Sequence, residues 1–117
     1  MKMSIQDKSD WINALKSGEY KQGKGVLNRN NKEFCCLGVL CELQKDVEYI
    51  KKQKDIGNNP IYIYDGNATA LPDKLLEKFQ IVDTAMLINT LVSMNDGAST
   101  FNEIADFIEL NVEVITN

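Results

Sequence analysis

Side chains able to do chemistry gather at three places in this chain. The first is residues 16–32, where Lys16, Lys21, Lys24, Arg29 and Lys32 stand against a single acid, Glu19, with Tyr20 and glycines between them. Lysines supply positive charge, glycines let backbone N–H groups approach an anion closely, and an aromatic ring stacks on a base. That composition suits a small nucleotide-like ligand, with Tyr20, Gln22, Lys24 and Arg29 as contacts and the Asn95-Asp96 pair as further polar contacts. Gly23-Lys24-Gly25 lacks the GxxxxGK[ST] spacing, so it is not a P-loop. The second place is acidic. Asp96, Glu103, Asp106, Glu109 and Glu113 run along the last loop and helix, and Glu103, Asp106 and Glu109 come at three-residue steps that make one exposed helix face negative. Such a face would engage a basic groove on another protein in place of nucleic acid; the plain alternative is the solvated side of an amphipathic helix.

The third place is Cys35, Cys36 and Cys41. An odd, clustered set makes a poor disulfide framework, and without a fourth thiolate, a histidine or a Cys-x-x-Cys spacing it makes a poor zinc site. The expected role is a small buried hydrophobe in a reducing compartment. A Cys-dependent enzyme is the minority reading, with Cys36 near the start of a helix whose dipole lowers its thiol pKa. The chain has no histidine, which excludes Ser-His-Asp and Cys-His pairs and His-ligated metal sites. Asp65 and Asp96 could share a divalent ion, but nothing in their spacing requires it. No catalytic residue, metal or cofactor is assigned.

The elements that must position these groups belong to a chain of 117 residues, the size of a single domain spanning residues 1–117. Its net charge of −4 argues against direct nucleic-acid binding. Residues 1–60 hold 11 Lys and Arg against 8 Asp and Glu, whereas residues 61–117 hold 2 against 9. Two differently charged surfaces, or two solvated faces, follow from that split. No leader-like segment or membrane-length apolar run is visible, so a cytoplasmic location without membrane contact is expected.

Periodicity places a helix over residues 5–17, with Ile5, Trp11, Ile12 and Leu15 on its buried side and Gly18 ending it. A hairpin follows, from strands at residues 19–27 and 33–36 around a turn at 28–32. Residues 37–48 read as a central helix in which Gly38 admits a close neighbour, and residues 51–60 read as a loop. Residues 61–64 alternate as a strand before the tight turn Asp65-Gly66. Pro72 at position N1 opens a short helix, and Asp83 caps the next one, which carries Met86, Leu87, Thr90, Leu91 and Met94. After a break at residues 95–99, Thr100 and Glu103 form a capping box for a last helix with Phe101, Ile104, Ala105 and Ile108 buried. The fold expected is α+β: a small antiparallel sheet of about three strands, packed by an N-terminal helix, a central helix and a C-terminal helical hairpin.

Several blocks of the chain resemble a family of small bacteriophage and prophage proteins. They are Trp11 with Ala14-Leu15, residues 17–22 (SGEYKQ), Gly25-x-Leu27 and residues 35–41 (CCLGVLC), then Leu71-Pro72, Met94-Asn95-Asp96-Gly97 and the pattern Phe101, Ile104-Ala105-Asp106, Ile108-Glu109. Only about residues 46–59 fall outside the likeness, and CCLGVLC is its most specific piece. The family's spacing differs after Asn-Asp-Gly, where this chain has Ala98-Ser99-Thr100-Phe101. The resemblance implies a phage setting rather than an activity. The expectation is a non-enzymatic accessory protein in the bacterial cytoplasm that antagonises host defence by sequestering a small nucleotide-derived signal, as a homo-oligomer with pockets between subunits. The alternative is a protein–protein inhibitor of a host defence factor acting through Glu103, Asp106 and Glu109.

Overall fold

The computed structural model describes residues 1–54, 60–81 and 85–115. Helix α1, Ile5–Lys16, starts where the Ser4 hydroxyl accepts the Asp7 N–H, and stops at Ser17, after which Gly18 takes φ +80°. That is the left-handed conformation in which helices commonly end. Trp11, Ala14 and Leu15 form its buried stripe, while Ile5, expected inside, is 69% exposed. Ile5 lies about 130° round the helix from the centre of that stripe, on its solvent-facing flank. Helix α2, Cys36–Leu43, is buried all round from Cys36 to Cys41. Its axis passes so near the end of the loop that leads into β3 that a Cβ on Gly38 would meet the Leu27 carbonyl oxygen at 1.7 Å, the close approach expected of that glycine. The helix ends five residues short of position 48. Buried Gln44 caps it, and its side-chain oxygen is held by the Lys78 ammonium, so the chain turns away there.

The sheet is larger than expected and mixed. Strands β2 (Lys21–Gln22), β3 (Asn28–Arg29), β4 (Glu33–Phe34), β5 (Lys51–Lys54) and β6 (Ile61–Tyr64) assemble in the order β2-β4-β3-β6-β5. A hairpin is present, with Asn30 and Asn31 at φ 61° and 55° in its tip, but its first arm is β3 at residues 28–29, expected in the turn, and not residues 19–27. Asn28 belongs to the strand rather than the turn, because its amide is buried and donates to the Tyr64 hydroxyl at 2.9 Å. β2 is no continuation of β3: the loop at residues 23–27, with Gly25 at φ +84°, turns the chain back so that β2 runs parallel to β4. Residues 51–54, expected as loop, form an antiparallel edge strand against β6. An edge strand exposed on both faces shows no alternation, and lysines on it discourage pairing with other chains. The turn after β6 is as expected, with Asp65 and Gly66 at φ 49° and 84° and Tyr64 and Asn67 exchanging hydrogen bonds of 2.9 Å.

Pro72 is the N-cap of α3 (Asp73–Lys78) instead of its first residue. Helix α4 is Ala85–Asp96, and the expected cap Asp83 lies outside the described residues. The helix continues through Asn95 and Asp96, which the sequence places in a loop, because the Asn95 side chain finds buried partners. Helix α5, Phe101–Asn111, has the expected Thr100/Glu103 capping box and the expected stripe of Phe101, Ile104, Ala105 and Ile108. It packs on α1. Strands β1 (Lys2–Met3) and β7 (Glu113–Val114) pair in parallel and fasten the two ends of the described chain together. The fold is therefore α+β, with five helices, a five-stranded sheet and a two-stranded one among the described residues.

Candidate functional site

The first turn of a helix leaves backbone N–H groups without intrahelical partners. In α2 one of them, Gly38 N–H, points at the Cys35 sulfur at 3.4 Å. Another, Cys36 N–H, donates to Oδ1 of Asn95 at 3.1 Å. The same oxygen lies 3.3 Å from Gln22 Nε2, which also donates to the Ser99 carbonyl at 2.9 Å. Asn95 Nδ2 donates to the Gly23 carbonyl at 2.8 Å, and Gly25 N–H donates to Asp96 Oδ1 at 3.1 Å. One amide, 1% exposed, thus ties the C-terminal turn of α4 to the start of α2 and to the glycine loop.

Beside this junction lies a pocket of about 100 Å³, walled by Gly25, Cys35, Cys36, Val92, Asn95 and Asp96 among others. Its lining is mostly apolar apart from Thr69, a buried amide already engaged and the carboxylate of Asp96. Val92 was not singled out from the sequence, although it sits on the same side of α4 as Asn95 and Asp96. The pocket therefore offers an acceptor to N–H groups of a ligand. It does not offer an activated thiolate. Burial pushes the Cys35 thiol up, and pushes those of Cys36 and Cys41 up much further, with the neighbouring Asp96 charge acting the same way on Cys35 and Cys36. The lowering expected for Cys36 at the helix N-terminus is overturned, because desolvation of a thiolate outweighs the hydrogen bonds available there.

Of the six ligand residues expected from the sequence, the structure brings Gln22, Asn95 and Asp96 together. Lys24 stands exposed in the same loop as Gly23 and Gly25. Tyr20 packs edge-on against Phe34, ring centroids 5.3 Å apart, outside the pocket lining. Arg29 sits within the sheet, opposite Glu33 on one side and Ile61 on the other. Glu103, Asp106 and Glu109 are all exposed; the Glu103 carboxylate accepts Thr100 N–H at 2.9 Å and Asp106 pairs with Lys16 at 2.9 Å. Asp65 accepts Ile50 N–H at 2.7 Å and faces Lys74 at 3.5 Å. It answers to different partners from Asp96, and no group of three or more Cys, Asp or Glu among the described residues is placed to hold a metal ion. No helix among them is long and apolar enough to cross a membrane.

No match to the chain was found among curated proteins or among solved structures. A family model does match, across residues 1–112 and hence across α1 to α5 and the whole of the pocket, so the chain belongs to the family described as domain of unknown function DUF8296.

Proposed function

We propose that this chain is a phage-type accessory protein that works by binding, holding a small nucleotide-derived defence signal in the bacterial cytoplasm. The observation that carries the reading is convergence. Gly25 after the SGEYKQ block, Cys35 and Cys36 of CCLGVLC, and Asn95 and Asp96 of MND line one pocket, and Gln22 of SGEYKQ bonds Asn95 beside it. Asp96 supplies an acceptor for the amino or imino N–H edge of a base, and Lys24 supplies a cation for phosphate outside the pocket. A volume of about 100 Å³ is small beside the roughly 300–1,000 Å³ of sites that enclose a drug-sized ligand. The pocket thus takes the end of a ligand, and the remainder lies over the glycine loop.

A thermal-shift panel of cyclic and linear nucleotides tests this, since a ligand that binds only the folded chain at a hundredfold excess over Kd stabilises it by about 2.7 kcal/mol. The expected result is a raised melting temperature with one nucleotide class, abolished by Asp96→Ala. A panel that leaves the melting temperature unmoved removes the reading. The alternative, inhibition of a host protein through Glu103, Asp106 and Glu109, is favoured less, because two of those three carboxylates are engaged within the chain.

A further inference from the structure

Among the described residues, Asp96 is the only charged side chain on the wall of the pocket beside α2. Its Oδ1 accepts Gly25 N–H at 3.1 Å and lies 3.4 Å from Asn95 Nδ2, while its Oδ2 takes no hydrogen bond or ion pair from a described residue. A carboxylate has about four acceptor positions; the chain takes two of them and leaves two for a ligand. The neighbouring donors are spent within the chain. Asn95 Nδ2 donates to the Gly23 carbonyl, Cys36 N–H to Asn95 Oδ1 and Gly38 N–H to the Cys35 sulfur. No lysine or arginine lines the pocket, and the Thr69 hydroxyl can accept as readily as donate. Val26, Leu37 and Val92 add apolar wall. The polar character left over is therefore that of an anchored anionic acceptor.

We infer, on the nucleotide reading of this pocket, that the base it selects is guanine. An ionised carboxylate only accepts hydrogen bonds, so it favours an edge made of donors and repels a lone pair set beside a donor. Guanine presents N1–H and its N2 amino group side by side, two adjacent donors for the two positions that Asp96 has free. Adenine sets the acceptor N1 beside its N6 amino group, and cytosine sets N3 beside its N4 amino group. Uracil flanks N3–H with two carbonyls. Each of these three brings a lone pair toward the carboxylate. Hydrogen bonds to an ionised acceptor are about twice as strong as neutral ones, and repulsion of the wrong edge adds to the discrimination. The contacts of Oδ1 with Gly25 and Asn95 hold the carboxylate before the ligand arrives, which lowers the cost of ordering it on binding.

Thermal shift and titration calorimetry of the full chain test the inference. The probes are guanosine, inosine, xanthosine, adenosine, cytidine and uridine, each as its monophosphate and as its cyclic dinucleotide, with methylguanidinium as a cation that carries the same N–H edge without a base. Guanosine is expected to bind tightest. Inosine, which differs only in lacking the amino group, is expected to bind about tenfold more weakly, the factor for one hydrogen bond to a charged group that water also reaches. Asp96→Asn keeps an oxygen for Gly25 N–H and puts a donor in place of the second acceptor. It is expected to reverse the order of guanosine and xanthosine, because xanthine has guanine's shape with a carbonyl where the amino group stood. Should that variant fail to fold, the comparison of guanosine with inosine on the unmodified chain decides alone. Inosine equal to guanosine, another base bound more tightly, or an unchanged order in folded Asp96→Asn overturns the inference and leaves the nucleotide reading in place. A panel in which no nucleotide binds, or methylguanidinium bound as tightly as guanosine, removes both.

Discussion

Asn95 and Cys36 lie 59 positions apart, and the side-chain oxygen of the first accepts the backbone N–H of the second at 3.1 Å in a site closed to solvent. Cys36 is held elsewhere too: Trp11 Nε1 donates to its carbonyl at 3.0 Å, and its sulfur lies 3.8 Å from the Leu91 carbonyl. The start of α2 is therefore the point where α1, α4 and the glycine loop are joined.

The first prediction concerns that junction. Asn95→Ala leaves Cys36 N–H and the Gly23 carbonyl without their side-chain partner. Each buried group left unsatisfied costs roughly 1–3 kcal/mol, so urea unfolding is expected to show a loss of about 2–6 kcal/mol. Asp96→Ala, at an exposed carboxylate, is expected to cost no more than about 1 kcal/mol while it alters ligand binding. Equal losses in the two variants would remove the division of labour between the neighbours.

Gly38→Ala is a sharper test of the packing. The added methyl would stand 1.7 Å from the Leu27 carbonyl oxygen and 2.6 Å from its carbon, both backbone atoms that cannot swing aside. The expected destabilisation is at or beyond the top of the roughly 1–3 kcal/mol range for overpacked cores. A variant that melts within a degree or two of the unmodified chain would mean that α2 and the backbone at Leu27 are not in contact there.

The sequence made some of this plain and hid the rest for physical reasons. The capping box and buried stripe of α5, Trp11 as a core anchor and the close approach at Gly38 are local or periodic signals, and the structure contains all of them. β5 was hidden because an edge strand exposed on both faces, with three lysines among its four residues, has no alternating pattern. Asn28 and Asn95 each look like turn residues. What holds them in a strand and a helix are the Tyr64 hydroxyl and the Cys36 N–H, partners that only the folded chain supplies. For the candidate site, sequence reasoning grouped Gln22, Asn95 and Asp96 correctly in space, yet joined Tyr20 and Arg29 to them by treating the basic stretch as one hairpin. The parallel pairing of β2 with β4 separates those two from the pocket.

Thiol reactivity gives a third prediction. All three cysteines are free and buried. Because thiolate is the reacting form and burial raises all three thiols, a thiol-specific reagent is expected to label none of them in the folded chain at neutral pH and all of them in denaturant. Rapid labelling of the native protein at one position would mark that cysteine as accessible, and labelling at Cys36, which lines the pocket, would reopen the nucleophile reading.

The same burial sets the direction of the alkaline stability profile. Cys35, Cys36 and Cys41 are raised by desolvation in the folded chain, as are the buried phenol of Tyr64 and the half-buried one of Tyr49. In the unfolded chain thiols lose their protons near about pH 8.5 and phenols near about pH 10. Above the first of these values the unfolded state therefore binds fewer protons than the native state, and stability must fall as pH rises. Below it both states are fully protonated at these sites and the groups contribute no slope. The decline is thus expected to begin near about pH 8.5 and to steepen above about pH 10, with an upper limit for three thiols of about 4 kcal/mol per pH unit. Urea unfolding at a series of pH values from neutral to about pH 10 measures it. Cys41→Ala removes one titrating thiol and is expected to give a shallower decline, whatever its own effect on stability at neutral pH. A profile that stays flat through this window would mean that the thiols ionise as readily in the folded chain as in the unfolded one, and that the core around Cys36 admits water.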